Sequence, residues 1–157
     1  MSIGEADIFR DVMARLTALE TALAEDAALL GAPPQSVDEF EAMAMTSRSA
    51  SRALMKSFEQ FEDQLARSFR LVPTMLGVAT DGWYMQDFAD FMEKNGVVAD
   101  ADVWMAVVKL RNRLVHDYPL QAHSQFAKLA EVIERVPLLF ETRRKLVAFT
   151  RNRGFGA

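Results

Sequence analysis

One stretch of the chain, Lys109–Pro119, concentrates side chains that can do chemistry. It places Arg111, Asn112, His116 and Tyr118 inside an apolar helical pattern that stops at the proline. A guanidinium binds an anion through two parallel hydrogen bonds, and an imidazole can exchange a proton close to neutral pH. The pattern Arg-Asn-x-x-x-His-x-Tyr is therefore the feature from which a chemical function can be predicted.

The spacing within this pattern limits what one helix can do. Arg111 and His116 are five residues apart, which on a straight helix separates them by about 140° around the axis and about 7.5 Å along it. Asn112 and His116 are four apart and share a face. Arg111 and His116 can therefore meet only through the long arginine side chain, at the helix end or with a second chain. The structural alternative is a histidine stabilised by the dipole at a helix C-terminus, beside a solvent-facing arginine.

The first element that must support this stretch is a long amphipathic helix over about residues 5–30. Gly31 is suited to a left-handed cap at its end, and Pro33-Pro34 prevents continuation. We expect its apolar stripe to pack against a neighbouring helix of the same fold or in a dimer core. The stripe repeats at steps of three and four and consists of Ile8, Val12, Leu16, Leu19, Leu23, Ala27 and Leu30.

A second helix is predicted to begin at Ser36, where the Ser-x-x-Glu pattern indicates a capping box with Glu39. The amide of Glu39 would donate to the Ser36 hydroxyl, and the Glu39 carboxylate would accept from the Ser36 amide. Helical spacing of apolar residues then continues to Pro73. The Ala- and Ser-rich part of this segment, residues 42–53, indicates either close helix packing or a local break.

A shorter third helix carries Tyr84, Phe88 and Phe91 on one face and ends at Asn95-Gly96. A fifth and last helix carries apolar residues between Phe126 and Phe140. We expect that helix to kink near Pro137 and to fray in the tail.

The fourth helix carries the motif. Asp100 and Asp102 lie where a helix start favours negative charge, and Pro119 disfavours helical geometry at Tyr118. Arg111 is predicted on the flank of the buried face rather than on the solvent side. The apolar stripe of that face consists of Val103, Val107, Leu110 and Leu114.

Length and composition indicate one all-α domain. The chain has 157 residues, half of them apolar, and no segment alternates with period two over a convincing length. We therefore predict an antiparallel bundle of about five helices over residues 1–157. An N-terminal helix would occupy 1–35, the remaining bundle 36–150 and a frayed tail 151–157.

Composition also excludes several classes of site. The chain lacks cysteine, which rules out disulfides and thiolate chemistry, and its two histidines argue against zinc. The N-terminus lacks a basic segment followed by an apolar one, and the longest apolar run, Val103–Val108, is far too short to cross a membrane. We predict a cytoplasmic protein with no membrane segment and no metal.

Charge is distributed unevenly along the chain. The net charge is −4, but residues 1–40 sum to −6 whereas residues 100–157 sum to +4. This asymmetry permits a local phosphate-binding surface on an acidic protein. The alternative is that the basic residues near the C-terminus form a solvated helix end and tail; they are Arg143, Arg144, Lys145, Arg151 and Arg153.

The octamer at residues 111–118 resembles the R-x4-H-x-Y signature of HEPN-domain proteins. The likeness is greatest to the HepT-like toxins that pair with minimal nucleotidyltransferase antitoxins, in which an asparagine such as Asn112 typically follows the arginine. Residues 90–98, followed by Trp104, also resemble the approach to the motif in that group. By pattern, the likeness covers about residues 80–140.

This resemblance implies a metal-independent endoribonuclease that needs no cofactor and acts as a homodimer with both motifs lining one cleft. His116 would take a proton from a ribose 2′-hydroxyl, and Arg111 would hold the phosphate as charge builds, with Asn112 in a supporting role. Cleavage would leave a 2′,3′-cyclic phosphate. A second copy of His116 would serve as the general acid, and His123 is expected to be a polar residue early in the last helix.

The resemblance also assigns a role to Tyr118 and a partner to the protein. In HepT-like toxins the tyrosine accepts AMP from the cognate minimal nucleotidyltransferase, which would place a phosphodiester anion in the path of the RNA. The structural alternative is a tyrosine packed at the helix end. Two further functions stay open: a non-catalytic HEPN binding module that partners a nucleotidyltransferase, and a helical adaptor.

Overall fold

The computed structural model describes residues 3–116 and 121–155. Within these ranges the chain forms six α-helices and no strand, which confirms the all-α prediction. The helices form a bundle in which α3 is central. They are α1 (Ile3–Leu30), α2 (Val37–Glu41), α3 (Met45–Met75), α4 (Met85–Lys94), α5 (Ala101–His116) and α6 (Ala122–Asn152).

The helix predicted from Ser36 to Pro73 is two helices, so the count of about five was one too low. The chain leaves α2 at Ala42, whose amide bonds back to Asp38, and Ala44 is extended (ψ 154°) before α3 begins. The two helices pack against different partners. Phe40 of α2 packs against Phe126 of α6, with ring centroids 6.3 Å apart, whereas α3 packs along α1.

One of the two hydrogen bonds predicted for the capping box at the start of α2 is present. The Glu39 amide donates to Ser36 Oγ at 3.1 Å. The Glu39 carboxylate, however, accepts from the amide of Gln35 at 2.6 Å, one residue earlier than expected. The predicted bond from the Ser36 amide is therefore wrong, although the two hydrogen bonds of Glu39 still fix the start of the helix.

Helix α1 packs its apolar stripe on α3, and Gly31 ends it in the left-handed region at φ 70°. The stripe is shifted at its N-terminal end, because Phe9 is buried where Ile8 was expected, and Ile8 is 41% exposed. Ala27 is also exposed. The buried residues of α1 are Phe9, Val12, Met13, Leu16, Leu23 and Leu30.

Two prolines lie inside helices. Helix α3 continues past Pro73 to Met75, so its predicted end was two residues too early. Pro73 lacks an N–H, so it removes one helical hydrogen bond in this last turn, and the amides of Leu76 and Val78 donate to its carbonyl where the helix ends. Pro137 lies inside α6, which runs unbroken across it.

Helix α4 begins at Met85, so Tyr84 precedes the helix and is 80% exposed. The predicted apolar face was therefore wrong at Tyr84. Trp83 takes its place, with its ring 5.1 Å from that of Phe88 and 5.8 Å from that of Phe91. Among the described residues, no helix combines the length and apolar character needed to cross a bilayer.

Candidate functional site

Helix α5, which carries the motif, is anchored at its N-terminus by carboxylates. Asp100 Oδ1 accepts hydrogen bonds from the amides of Asp102 (2.8 Å) and Val103 (3.2 Å). The amide of Ala101 donates to the carboxylate of Glu93 in α4. These bonds satisfy amides that lack a partner within the helix, and they confirm the acidic helix start expected from the sequence.

The buried face of α5 packs against α3. Trp104 is 1% exposed, and its ring lies 4.8 Å from that of Phe69. Two turns further along α5, Arg111 faces Glu62, which lies two turns before Phe69 on α3. The two helices are therefore antiparallel in this region, and each step toward the C-terminus of α5 is a step toward the N-terminus of α3.

Arg111 lies on the flank of this buried face and is held by three side chains. Its Nε is 3.4 Å from Glu62 Oε2, its Nη2 is 3.0 Å from Asp63 Oδ1, and its Nη1 donates to Asn112 Oδ1 at 3.3 Å. The Arg111 side chain is 27% exposed, Glu62 is 3% exposed and Asp63 is 53% exposed. The inner edge of the guanidinium thus faces a buried carboxyl, and its outer edge faces groups in contact with water.

Glu62 is a functional candidate that the sequence analysis missed. Burial raises the pKa of its carboxyl to about 7, with Asp63 raising it further, while Arg111 and Arg70 oppose the shift. The loss of hydration therefore exceeds the attraction of the arginine. The available signal was a glutamate in the apolar stripe of α3, directly after Phe61 and four residues after Phe58.

His116 is the last residue of α5 and is exposed to solvent. Among the described residues, no hydrogen bond joins it to Arg111 or Asn112, and Asn112 accepts from Arg111 instead. The structure therefore brings Arg111 and Asn112 into contact, and a meeting of Arg111 with His116 stays a prediction. Tyr118 lies outside the described residues.

A groove of about 240 Å³ opens beside the motif, between α3, α5 and α6. Three of the side chains that line it are basic. The other side chains are apolar, amide or acidic, and the full lining consists of Arg52, Met55, Lys56, Glu59, Leu114, Gln125 and Lys128. The motif helix contributes Leu114, which places the groove within one helical turn of His116.

Other candidate residues have structural partners or lie elsewhere. His123 is the exposed second residue of α6, as predicted. Arg143 is not part of a solvated tail, because it bonds to Glu20 Oε2 at 2.6 Å and Thr17 Oγ1 at 2.8 Å and ties α6 to α1.

Within residues 3–116 and 121–155, no group of histidine and acidic side chains is arranged to bind a metal.

No protein-family model matches this chain, and comparisons with curated proteins and with solved structures likewise found no match.

Proposed function

We propose that the protein is a metal-independent endoribonuclease with a HEPN-like bundle, the toxin of a toxin–antitoxin pair. One observation carries the proposal. Helix α5 presents a partly exposed Arg111, fixed from behind by the buried Glu62, and ends five residues later in the exposed His116. A fixed guanidinium and an accessible imidazole on one rigid element suit phosphodiester cleavage.

The proposed step is an internal transesterification of RNA. The His116 imidazole takes the proton of a ribose 2′-hydroxyl, and the 2′-oxygen forms a bond to the adjacent phosphorus. The bond from phosphorus to the 5′-oxygen then breaks, and that oxygen takes a proton from a general acid. The products are a 2′,3′-cyclic phosphate and a 5′-hydroxyl.

Arg111 would stabilise the charge that builds on the phosphate. Its outer edge is occupied by Asp63, but this carboxylate is half-exposed, and an exposed ion pair is worth roughly 0–1 kcal/mol. A phosphate would therefore compete with Asp63 for the outer edge of the guanidinium. Glu62 would stay beside Nε as a charge partner, and Nη1 would keep its hydrogen bond to Asn112.

A second copy of the chain would complete the site. Arg111 points toward α3 while His116 is exposed at the helix end, and one chain offers no second motif histidine as general acid. We therefore propose a cytoplasmic homodimer in which two motifs line one cleft. Light scattering after size-exclusion chromatography should give twice the mass of one chain, and an active monomer would contradict this arrangement.

The proposed partner is a cognate minimal nucleotidyltransferase that transfers AMP to Tyr118. A phosphodiester two residues beyond His116 would repel the RNA backbone. Incubation with that enzyme and ATP should add one AMP to the wild-type chain and block RNA cleavage. Tyr118→Phe should stay active and unmodified under the same conditions; an equally modified variant would place the acceptor elsewhere.

The decisive experiment measures cleavage of single-stranded RNA and transfer RNA by the purified protein in excess EDTA. We expect cleavage, with products that carry a 2′,3′-cyclic phosphate and a 5′-hydroxyl. Expression of the chain alone should also arrest growth. Absence of cleavage together with stable binding of a nucleotidyltransferase would overturn the enzyme proposal in favour of the non-catalytic HEPN module.

A further inference from the structure

A basic groove runs along α3 toward the end of the motif helix. It consists of two adjoining cavities of about 240 Å³ each. They share Arg52, Met55 and Gln125, so they form one continuous depression. One end lies at α2, where Phe40 lines it, and the other end reaches Leu114 of α5.

The basic residues of this groove are regularly spaced. Arg48, Arg52 and Lys56 follow one another at intervals of four residues on α3, which places successive side chains on one edge of the helix about 6 Å apart along its axis. Lys128 of α6 lines the inner end of the groove. A row of evenly spaced cations suits a polymer whose anionic groups are also evenly spaced.

Acidic groups offset only part of this charge. Glu59 and Glu41 also line the groove, and Lys56 pairs with Glu59 at 2.9 Å. Arg48 donates to the backbone carbonyl of Glu41 at 2.6 Å, which leaves its positive charge uncompensated by a carboxylate at that bond. Arg52 is exposed, and no described residue forms an ion pair or hydrogen bond with its guanidinium.

The antiparallel packing of α3 and α5 aligns this row with the motif. Arg111 faces Glu62, and one turn later Leu114 lies in the groove beside Lys56. His116 follows two residues after Leu114, so the end of α5 lies level with the Lys56 end of the row. A strand bound in the groove would thus reach the level of the exposed histidine at its Lys56 end.

We propose that this groove binds the phosphate backbone of single-stranded RNA and guides the strand to His116. The inference rests on the proposed ribonuclease function and adds the path of the substrate. Single-stranded RNA fits better than a duplex because only a single strand can turn its base faces toward the apolar side chains of the groove. It fits better than an acidic protein because the cations are evenly spaced and the half-buried Leu114 and Phe40 offer apolar surface to bases.

The test uses the full-length His116→Ala protein, which binds without cutting, and a fluorescein-labelled oligouridylate. Arg52→Gln and Lys56→Gln should each weaken binding several-fold. Each should also reduce the slope of log affinity against log salt by about 0.7, the value for one lost phosphate contact on a single strand. Arg144→Gln is the matched control, because Arg144 is exposed on the distal half of α6 and does not line the groove.

The outcomes separate the two proposals. If the wild-type protein cuts RNA but Arg52→Gln and Lys56→Gln bind like the Arg144 control, the groove proposal is overturned and the ribonuclease stands. If poly-glutamate binds as tightly as the oligouridylate and depends equally on Arg52, the groove is a protein-docking surface and the RNA proposal fails. Groove-dependent RNA binding without cleavage by the wild-type protein would instead overturn the ribonuclease.

Discussion

Arg111 Nε and Glu62 Oε2 lie 3.4 Å apart and link the motif helix to the centre of the bundle. The contact is an ion pair without hydrogen-bond geometry, since Nε has no hydrogen-bond partner among the described residues. Burial nevertheless keeps the pKa of Glu62 near 7. At neutral pH the carboxyl is therefore present in both protonation states, and the charge that Arg111 can offer an anion is only partly neutralised from behind.

The raised pKa of Glu62 predicts a specific pH dependence of stability. The folded chain binds the Glu62 proton more tightly than the unfolded chain, whose carboxyl has a pKa near 4.5. The extra stability that the folded chain gains by binding this proton is therefore fully present below pH 4.5 and is lost as the pH rises through 7. Because Gln cannot ionise, Glu62→Gln should gain stability relative to wild type by about 2–3 kcal/mol between pH 5 and pH 8.

Urea denaturation of both proteins at pH 5 and pH 8 measures this difference. Glu59→Gln is the matched control, because it removes a more exposed carboxyl on the same helix. That substitution should change the unfolding free energy by a small and similar amount at both pH values. A constant difference between wild type and Glu62→Gln across the range would show that Glu62 titrates in the folded protein as it does in water.

Arg111→Lys tests whether the planar guanidinium is needed for cleavage. Lysine keeps the positive charge near Glu62 but cannot form two parallel hydrogen bonds to a phosphate. We expect kcat/KM for RNA cleavage to fall by about 100-fold, the effect of removing one transition-state donor, with the circular dichroism spectrum unchanged. Arg113→Lys is the control on the same helix, because Arg113 pairs with Glu131 of α6 at 2.6 Å, and it should cut RNA normally.

The two histidines form a matched pair for testing the proton-transfer step. Both are exposed, His116 at the end of α5 and His123 at the start of α6. His116→Ala should lower the cleavage rate by about 100- to 10,000-fold, the usual contribution of a general acid or base, whereas His123→Ala should cut at the wild-type rate. Neither should change the unfolding free energy by more than about 0.5 kcal/mol. Equal loss of activity in both variants would contradict the assignment of His116 as the proton-transfer residue.

Local chemistry made much of the fold predictable from sequence. Gly31 and Asp100 fix helix ends through backbone geometry and short-range hydrogen bonds, and both act within a few residues. The apolar stripe of α3 follows from helical period alone. The flank position of Arg111 follows in the same way, because the period also fixes which residues adjoin the buried face.

Features that depend on distant contacts were not predictable. The break between α2 and α3 accompanies the packing of Phe40 on Phe126 of α6, a contact between residues 86 positions apart. Glu62 is buried because α5 covers it, and no local pattern identifies Arg111 as its partner, 49 residues away. Tyr84 was placed on the apolar face by helical spacing, but it precedes α4, and Trp83 in the preceding turn folds back onto Phe88 and Phe91 instead.

The anchoring of α5 can be tested at its N-terminus, the end opposite the motif. Asp100 Oδ1 accepts from two amides, so Asp100→Ala should lower the unfolding free energy by about 1 kcal/mol. Asp100→Asn should restore most of that loss, because Asn is an equally good N-cap. Asp102→Ala removes a neighbouring charge that favours the helix dipole, which is worth about 0.3–1 kcal/mol, and should cost less. Urea denaturation followed by tryptophan fluorescence ranks the variants, and an Asp102→Ala loss larger than that of Asp100→Ala would contradict the capping role of Asp100.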